Sequence, residues 1–351
     1  MKTKARKAAT PKFACILIAR LFVCLVLLRT AVRTSFAAVG DTEIAKWQGN
    51  KKAVFLLMFD DSWPSQWQVA VPELEKRGLV ATFYICPGKA EFLKFKDKWA
   101  NDVPKAGMVL GNHTMTHKGV TDVANAEAEI GGATKAILEM VSGKNPRLIS
   151  FAMPGVGPGQ WNISSTQYKE LLEKHHLIDR PPFAGHGAVY HLQKLEQMLK
   201  LADRAIAAGE MEYLVVHGVE RHGINWGYQD MWPLSYEILT GLLDGLRDRQ
   251  NAGDLWVTDH ISWYRYQAER EHASVKVLSV KADEISLELA CSLDHDLYDL
   301  PLTVTTSVPA EWKTVSIVEK DQPAKTIKVN NQRVVFDAVP NNGKIKVAKQ
   351  G

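Results

Sequence analysis

The hydrophobic positions of this chain follow two regimes that change near residue 273. From residue 41 to about 270, short apolar runs alternate with amphipathic stretches. The runs Val54–Phe59, Ala81–Cys86, Met108–Gly111, Leu148–Ala152, Tyr213–Val216 and Leu255–Val257 have strand length. Between them, Val69–Arg77, Asp122–Val141, Ser164–His175, Leu192–Ala208 and Leu234–Arg249 repeat apolar residues at helical spacing. Gly78 and Gly143 follow two of these stretches and suit helix C-caps. Repeated strand–helix alternation predicts parallel strands with helices outside, an α/β fold, and the length suits closure toward a barrel.

After Ala273 the helical period disappears. Val275–Val280, Ile285–Ala290, Leu302–Thr306, Thr314–Glu319, Thr326–Val329, Val334–Phe336 and Lys344–Val347 are short alternating runs, with a tight turn at Asn341-Asn342-Gly343. They predict an all-β sandwich of immunoglobulin-like size over 273–351, following a barrel domain over 41–272. Nothing with chemical potential falls in the second segment. It reads as a stabilising or spacing module, and a chain ending near Ala273 is expected to fold alone. Sugar binding there would rest on one tryptophan, Trp312.

The net charge of +4 is set by the first 37 residues, which hold eight Lys/Arg and no Asp or Glu; without them the balance is −4. The basic pI is therefore no sign of nucleic-acid binding. That segment reads as a signal peptide: a basic start, the apolar run Phe13–Leu28, and Ser35-Phe36-Ala37 as a small-x-small cleavage site. The run is short for a membrane span and carries Arg20, so export with cleavage, to periplasm or exterior, is the expectation. Cleavage leaves Cys86 and Cys291, which offer neither a disulfide scaffold nor a cysteine zinc site.

The chemistry-bearing residues sit just after strand runs. Asp60 and Asp61 end the first, His113 and His117 follow the third, Pro154 follows the fourth and His217 follows the fifth. In α/β barrels the C-terminal ends of the strands gather on one face, so residues distant in sequence converge. His113 and His117, at i and i+4, are expected to project from one side of a helical turn. With one carboxylate they form a His₂Asp set that suits a late first-row divalent metal with open positions. Adjacent aspartates point to opposite sides of an extended chain. One can therefore face the metal while its neighbour faces the attacking water. His217 is the candidate acid for the leaving group.

With these motifs the chain resembles the polysaccharide deacetylases of the NodB-homology type over roughly residues 50–270. Phe59-Asp60-Asp61-Ser62 is similar to the family's T-F-D-D-G motif. His113-Thr114-Met115-Thr116-His117 matches H-[ST]-x-x-H, and Leu214-Val215-Val216-His217 matches L-x-x-H. The resemblance implies a distorted (β/α) barrel and one divalent metal ion, zinc first, with nickel or cobalt as alternatives. It implies Asp60 as base, Asp61, His113 and His117 as metal ligands, His217 as acid, and Leu214 lining the pocket for the acetyl methyl group. The chain departs from the family at R-x-P-[FY]. The corresponding stretch, Phe151-Ala152-Met153-Pro154-Gly155, has no Arg. Arg180, in Ile178-Asp179-Arg180-Pro181-Pro182, is the candidate for orienting the base from another strand end. The family's D-x-x-x-W motif is not recognisable.

Nine of the ten tryptophans lie between residues 41 and 270. Trp63 and Trp226, nearest the motifs, are the candidate sugar-stacking residues; Trp67 and Trp232 serve equally well as core or cleft. The reading is a metal-dependent hydrolase removing N- or O-linked acetyl groups from an acetylated glycan, with no nucleic-acid partner and no membrane span after leader cleavage. The rivals are a same-superfamily hydrolase of a non-sugar C–N bond and an inactive glycan-binding protein on the same fold.

Overall fold

The longest apolar run makes the central strand, Ala53–Asp60, in which all eight residues are buried. Burial on both faces is what a parallel sheet with covered faces demands of its strands. The computed structural model describes residues 38–182, 192, 194–223, 225 and 227–350; residues 1–37, where a signal peptide is expected, lie outside them. The strands of the first part are β1 (Thr42–Ile44), β2 (Ala53–Asp60), β3 (Thr82–Ile85), β4 (Val109–Asn112), β5 (Ile149–Phe151), β6 (Leu177–Asp179), β7 (Met211–Val216) and β8 (Leu255–Thr258). Strands β2 to β8 form one parallel sheet along the path β6-β5-β4-β3-β2-β7. β7 takes one edge of β2 along Val54–Phe59. The other edge is divided: β8 pairs with Ala53–Leu56 and β3 with Met58–Asp60. That split edge, and a sheet path that ends at β6 and β7, make this a distorted (β/α) barrel, as the sequence resemblance implies.

Alternation along the strands separates two cores. Phe55, Leu57 and Phe59 pack outward among residues of the covering helices, including Leu239, Leu242 and Leu246. Val54, Leu56 and Met58 pack inward with Tyr84, Ala152, Tyr213 and Val215, above the buried indole of Trp47. Successive side chains of a strand face opposite ways, so the inward parity continues to Asp60 on β2 and to His217 beyond β7. It continues likewise to His113 beyond β4, two residues after Gly111. A Cβ on Gly111 would stand 2.6 Å from the Tyr84 ring, so only glycine lets that ring lie flat inside.

The helices begin and end where the local chemistry directs. Ser164 caps Ser165–Lys174 in a reciprocal box with Gln167, Ser235 caps Tyr236–Asn251, and left-handed Gly209 stops Leu195–Ala208. The predicted helix Asp122–Val141 is broken: a wide π-type turn, Glu127–Gly131, separates Val123–Ala126 from Gly132–Met140. Val141 is already extended, so Gly143 lies beyond the cap it was expected to form. Gly78, at φ 62, suits the capping role. β1 and β6 were not predicted, because each has only three residues and includes acidic or polar ones, Thr42-Glu43-Ile44 and Leu177-Ile178-Asp179, whereas the equally short β5 lies in an apolar run.

The second part contains β9 (Ala273–Val280), β10 (Glu284–Cys291), β11 (Leu302–Ser307), β12 (Thr314–Val318), β13 (Lys325–Lys328), β14 (Arg333–Ala338) and β15 (Lys344–Gln350). They form antiparallel sheets in the orders β13-β12-β15-β10-β9 and β1-β11-β14. Both sheets feed one core, with Leu287, Val304, Phe336 and Val347 at its centre. Trp312 is part of that core, 1% exposed, and so offers no stacking face to a sugar.

The expected boundary at 272/273 needs correction. β1 precedes the barrel in sequence but pairs antiparallel with β11, Thr42 opposite Thr306. Tyr266, on the barrel's last helix, is fully buried in the sandwich core and donates to the Ala45 carbonyl at 2.9 Å. Gly49 N donates to Thr303 Oγ1 at 2.7 Å. The physical reason is that β11, the central strand of the three-stranded sheet, is buried along all six residues, and one of its two neighbours has to come from the segment before β2. A chain ending at His272 should therefore leave β1 without its partner and the Tyr266 side chain in water. We expect it to aggregate or elute as oligomers on size-exclusion chromatography; a soluble monomer with the parent's far-UV spectrum would show the sandwich to be dispensable.

Candidate metal and active site

Asp60 is the last residue of β2 and is nearly fully buried. Arg180 Nη1 donates to both its oxygens, at 2.7 Å to Oδ1 and 2.9 Å to Oδ2. Burial pushes the Asp60 carboxyl up, but the Arg180 guanidinium, followed by His113 and His217, outweighs it and holds the group at about 2. The guanidinium lies over the Tyr84 ring at 5.1 Å, and Tyr84 Oη stands 3.0 Å from His260 Nδ1. Arg180 follows β6, and its backbone N–H bonds the Phe151 carbonyl at 2.8 Å. Phe151 pairs with Asp179, so the next position along puts Arg180 beside Ala152. Ala152 stands where the R-x-P spacing, read back from Pro154, would put the family Arg. Arg180 therefore reaches Asp60 from the strand next to the one that Ala152 follows.

By alternation Asp61 would face the helices. It does not follow the alternation, because its φ is 80 and that of Ser62 is 59. Left-handed backbone at two consecutive non-glycine residues costs roughly 1–2 kcal/mol each, and it turns the second carboxylate inward beside the first. Trp63 Nε1 donates to Asp61 Oδ2 at 3.2 Å, which leaves Oδ1 buried with no hydrogen-bond partner. That oxygen is 3.1 Å from His117 Nε2 and 3.7 Å from His113 Nε2.

The two histidines come from a loop, not from the helical turn expected. Their segment has left-handed backbone at Thr114 (φ 65) and His117 (φ 61), which no helix accommodates. His113 N–H still bonds Ile85 O at 3.0 Å, continuing the β4 ladder, and the turn follows at once. His113 Nδ1 is 2.7 Å from the Ala152 carbonyl, which can only accept, so Nδ1 carries the proton and Nε2 presents its lone pair. Burial lowers the His113 pKa to about 4, against the opposing pull of Asp60 and Asp61. A neutral imidazole is the form that binds a metal. Asp61, His113 and His117 thus form one candidate metal-binding cluster, their donor atoms all within 4.8 Å. Donors about 2.1 Å from a shared zinc-like ion would stand roughly 3–3.5 Å apart, so the set fits a divalent cation.

His217 Nε2 is 4.0 Å from Asp61 Oδ2, and its ring meets Trp232 edge to face at 5.0 Å. A cleft of about 670 Å³ opens here, lined by Asp60, Asp61, His113, His117, Pro154, Arg180 and His217, with exposed Met153, Met231 and Trp232 at its rim. Two of the expected substrate contacts are placed otherwise. Leu214 is fully buried on the outward parity of β7 and does not line the cleft. Trp63 holds Asp61 with its N–H and lies under Lys89 Nζ at 5.0 Å. Trp226 lies outside the described residues.

Two residues gave no sign in the sequence. Gln66 is fully buried, and its Nε2 donates to the main-chain carbonyls of Asp60 at 2.6 Å and His217 at 2.8 Å, tying two strand ends together. Glu129, in the π-type turn, accepts from Thr116 N and Thr116 Oγ1, both at 2.8 Å. A Gln in a loop and a Glu in an amphipathic helix are unremarkable until the fold brings them in.

The fold is a distorted (β/α) barrel with carboxylate and imidazole groups gathered at the C-terminal ends of its strands. Residues 48–172 match the polysaccharide deacetylase family model. The match ends before Arg180 and His217. A gellan lyase from a Bacillus species is 22% identical over 339 residues, covering 88% of this chain; the chain spans 13% of that protein's length. Among solved structures, a family 4 carbohydrate esterase from Streptomyces lividans is similar at 18% identity and a TM-score of 0.41, over 58% of this chain and 90% of its own. A peptidoglycan deacetylase from Bacillus subtilis is similar at 15% identity and a TM-score of 0.43, over 62% and 93%. A CE4 family pseudoenzyme from Bacillus anthracis is similar at 16% identity and a TM-score of 0.41, over 60% and 64%.

The Arg180–Asp60 pair sets a pH dependence. Asp60 is held low, so it stays ionised through neutral and mildly acidic solution. Without the guanidinium, burial alone acts on the carboxyl and raises it. Arg180→Ala should move the acidic limb of the rate profile to higher pH by about one unit or more, equivalent to about 1.4 kcal/mol per unit, with metal content unchanged. An unmoved limb would leave Arg180 without influence on the ionisation of Asp60.

Proposed function

We propose that this protein is an exported, metal-dependent hydrolase that removes acetyl groups from a carbohydrate. The observation that carries the reading is the meeting, in one cleft, of a three-residue ligand set with a buried, arginine-held carboxylate and a separate imidazole. Asp61 Oδ1, His113 Nε2 and His117 Nε2 would hold a divalent ion, zinc first, with cobalt or nickel as alternatives. When bound, such an ion polarises an acyl carbonyl and makes water more acidic.

The chain's own groups supply the rest. Asp60, kept ionised by Arg180, takes the proton of the attacking water. His217 gives a proton to the departing amine or alkoxide. Trp63 holds Asp61 in one orientation, and Gln66 fixes the main chain of the base and the acid together. The exposed rim of Met153, Met231 and Trp232 offers apolar contact to the faces of sugar rings. The family match supports a glycan as the acyl carrier, and the basic, acid-free leader supports export.

The test is acetate release from a panel of N- and O-acetylated glycans by chelated protein reconstituted with zinc, cobalt or nickel. At least one substrate should turn over, and chelation should abolish it. Absence of release with every metal would favour a glycan-binding role on the deacetylase fold.

The ligand and base assignments separate by mutation. His113→Ala, His117→Ala and Asp61→Asn should each lose most bound metal by elemental analysis. Asp60→Asn should keep the metal and lose about a hundredfold or more in kcat. If Asp60→Asn were instead the metal-poor variant, the two aspartates would have to exchange roles.

A further inference from the structure

The loop from His113 to His117 carries two of the three proposed ligands, and regular structure gives it little support. It leaves β4, reverses through left-handed backbone at Thr114 and again at His117, and meets no ladder or helix of its own. Its shape is imposed from outside. Asn112 Oδ1 accepts from Thr114 N at 2.8 Å, while Asn112 Nδ2 donates to Ile130 O at 2.8 Å. Gly88 N donates to Met115 O at 2.8 Å. The largest share falls on one residue. Glu129 O accepts from Met115 N at 2.9 Å, and the Glu129 carboxylate accepts from Thr116 N and Thr116 Oγ1. Three hydrogen bonds therefore reach the two residues immediately before His117.

The helix is irregular at that point. A π-type turn interrupts the ordinary i to i−4 ladder at Glu127–Gly131, so carbonyls there can accept from a neighbouring segment. Glu129 is buried, and its carboxylate oxygens face the loop. A charged acceptor makes stronger hydrogen bonds than a neutral one, the more so away from water. Groups that orient metal ligands from behind commonly contribute ten- to hundredfold in metal affinity.

We propose that Glu129 is the positioning residue of the ligand loop, holding Met115 and Thr116 so that His117 reaches Asp61 from a backbone conformation it would not otherwise keep. The inference rests on the reading of Asp61, His113 and His117 as metal ligands. Its test is therefore made on metal-free protein as well as by metal binding.

The experiment uses the full chain stripped of metal. Zinc is titrated against a chromophoric chelator, and amide hydrogen exchange is followed over residues 113–117. Glu129→Ala should bind zinc ten- to hundredfold more weakly and should exchange the Met115, Thr116 and His117 amides faster. Glu129→Gln should stay within about threefold of the parent, since its carbonyl can take the Thr116 N–H and its amide can donate to Thr116 Oγ1. If Glu129→Ala fails to fold, Thr116→Val against Thr116→Ser makes the same comparison, with weaker binding and faster exchange expected for Val alone. Parent-like affinity and exchange in Glu129→Ala would overturn the proposal. So would equal loss in Glu129→Ala and Glu129→Gln alongside an equal fall in thermal midpoint, which would mark Glu129 as a general prop of the fold. A parent protein that binds no zinc, with exchange still faster in Glu129→Ala, would remove the metal reading and leave the positioning role supported.

Discussion

The constraint on which this site depends is the two-residue alternation of a strand buried on both faces. Every residue of β2 is buried, so its odd and even positions are committed to different cores. A slip of one residue would drive Phe55, Leu57 and Phe59 into the barrel and Asp60 into the helices. The first change wrecks the packing, and the second buries a carboxylate without a partner, at a cost of several kcal/mol. The apolar core thus sets the register, and the register places Asp60, His113 and His217 on one side. Only Asp61 escapes the rule, through strained backbone at the strand end.

That inward face is also where a charge can survive. Asp60 and Arg180 are both almost without solvent, and each would be costly alone. Removing one partner of a buried pair typically costs about 3–5 kcal/mol, because the other is left uncompensated. The pair does more than neutralise. Arg180 is held from two sides, by both oxygens of Asp60 and by the ring of Tyr84, whose hydroxyl meets His260. A small residue makes this arrangement possible: Gly111 admits the Tyr84 ring.

Much of the site was legible in the sequence because its residues stand at the ends of long apolar runs, where periodicity and motif reinforce each other. Asp60, Asp61, His113, His117 and His217 all converge on one cleft. Arg180 was named as the candidate to replace the missing family Arg from another strand end, although β6 itself is not among the predicted strand runs. The helical placement of His113 and His117 failed because spacing alone does not distinguish a helical turn from a loop with left-handed residues. Trp63 was read by its ring, whereas its indole N–H is what meets Asp61. Leu214 was carried over from a motif, and strand parity turns it away from the cleft. Gln66 and Glu129 act through contacts made across the fold, which leave no local mark.

β1 has a consequence for the order in which the molecule can be assembled. Thr42 meets Thr306, their hydroxyl oxygens 3.1 Å apart across 264 residues of chain. A ribosome making this protein completes the whole barrel before the partner of β1 exists. Until β11 emerges, the edge of β1 and the ring of Tyr266 have nothing to cover them. Closure across so long a loop is slow relative to local folding, so the nascent barrel must wait with one open flank. The strand that fastens β1 is made only after the barrel is complete, which makes the sandwich the lock of the fold and places the vulnerable interval of its folding late in translation.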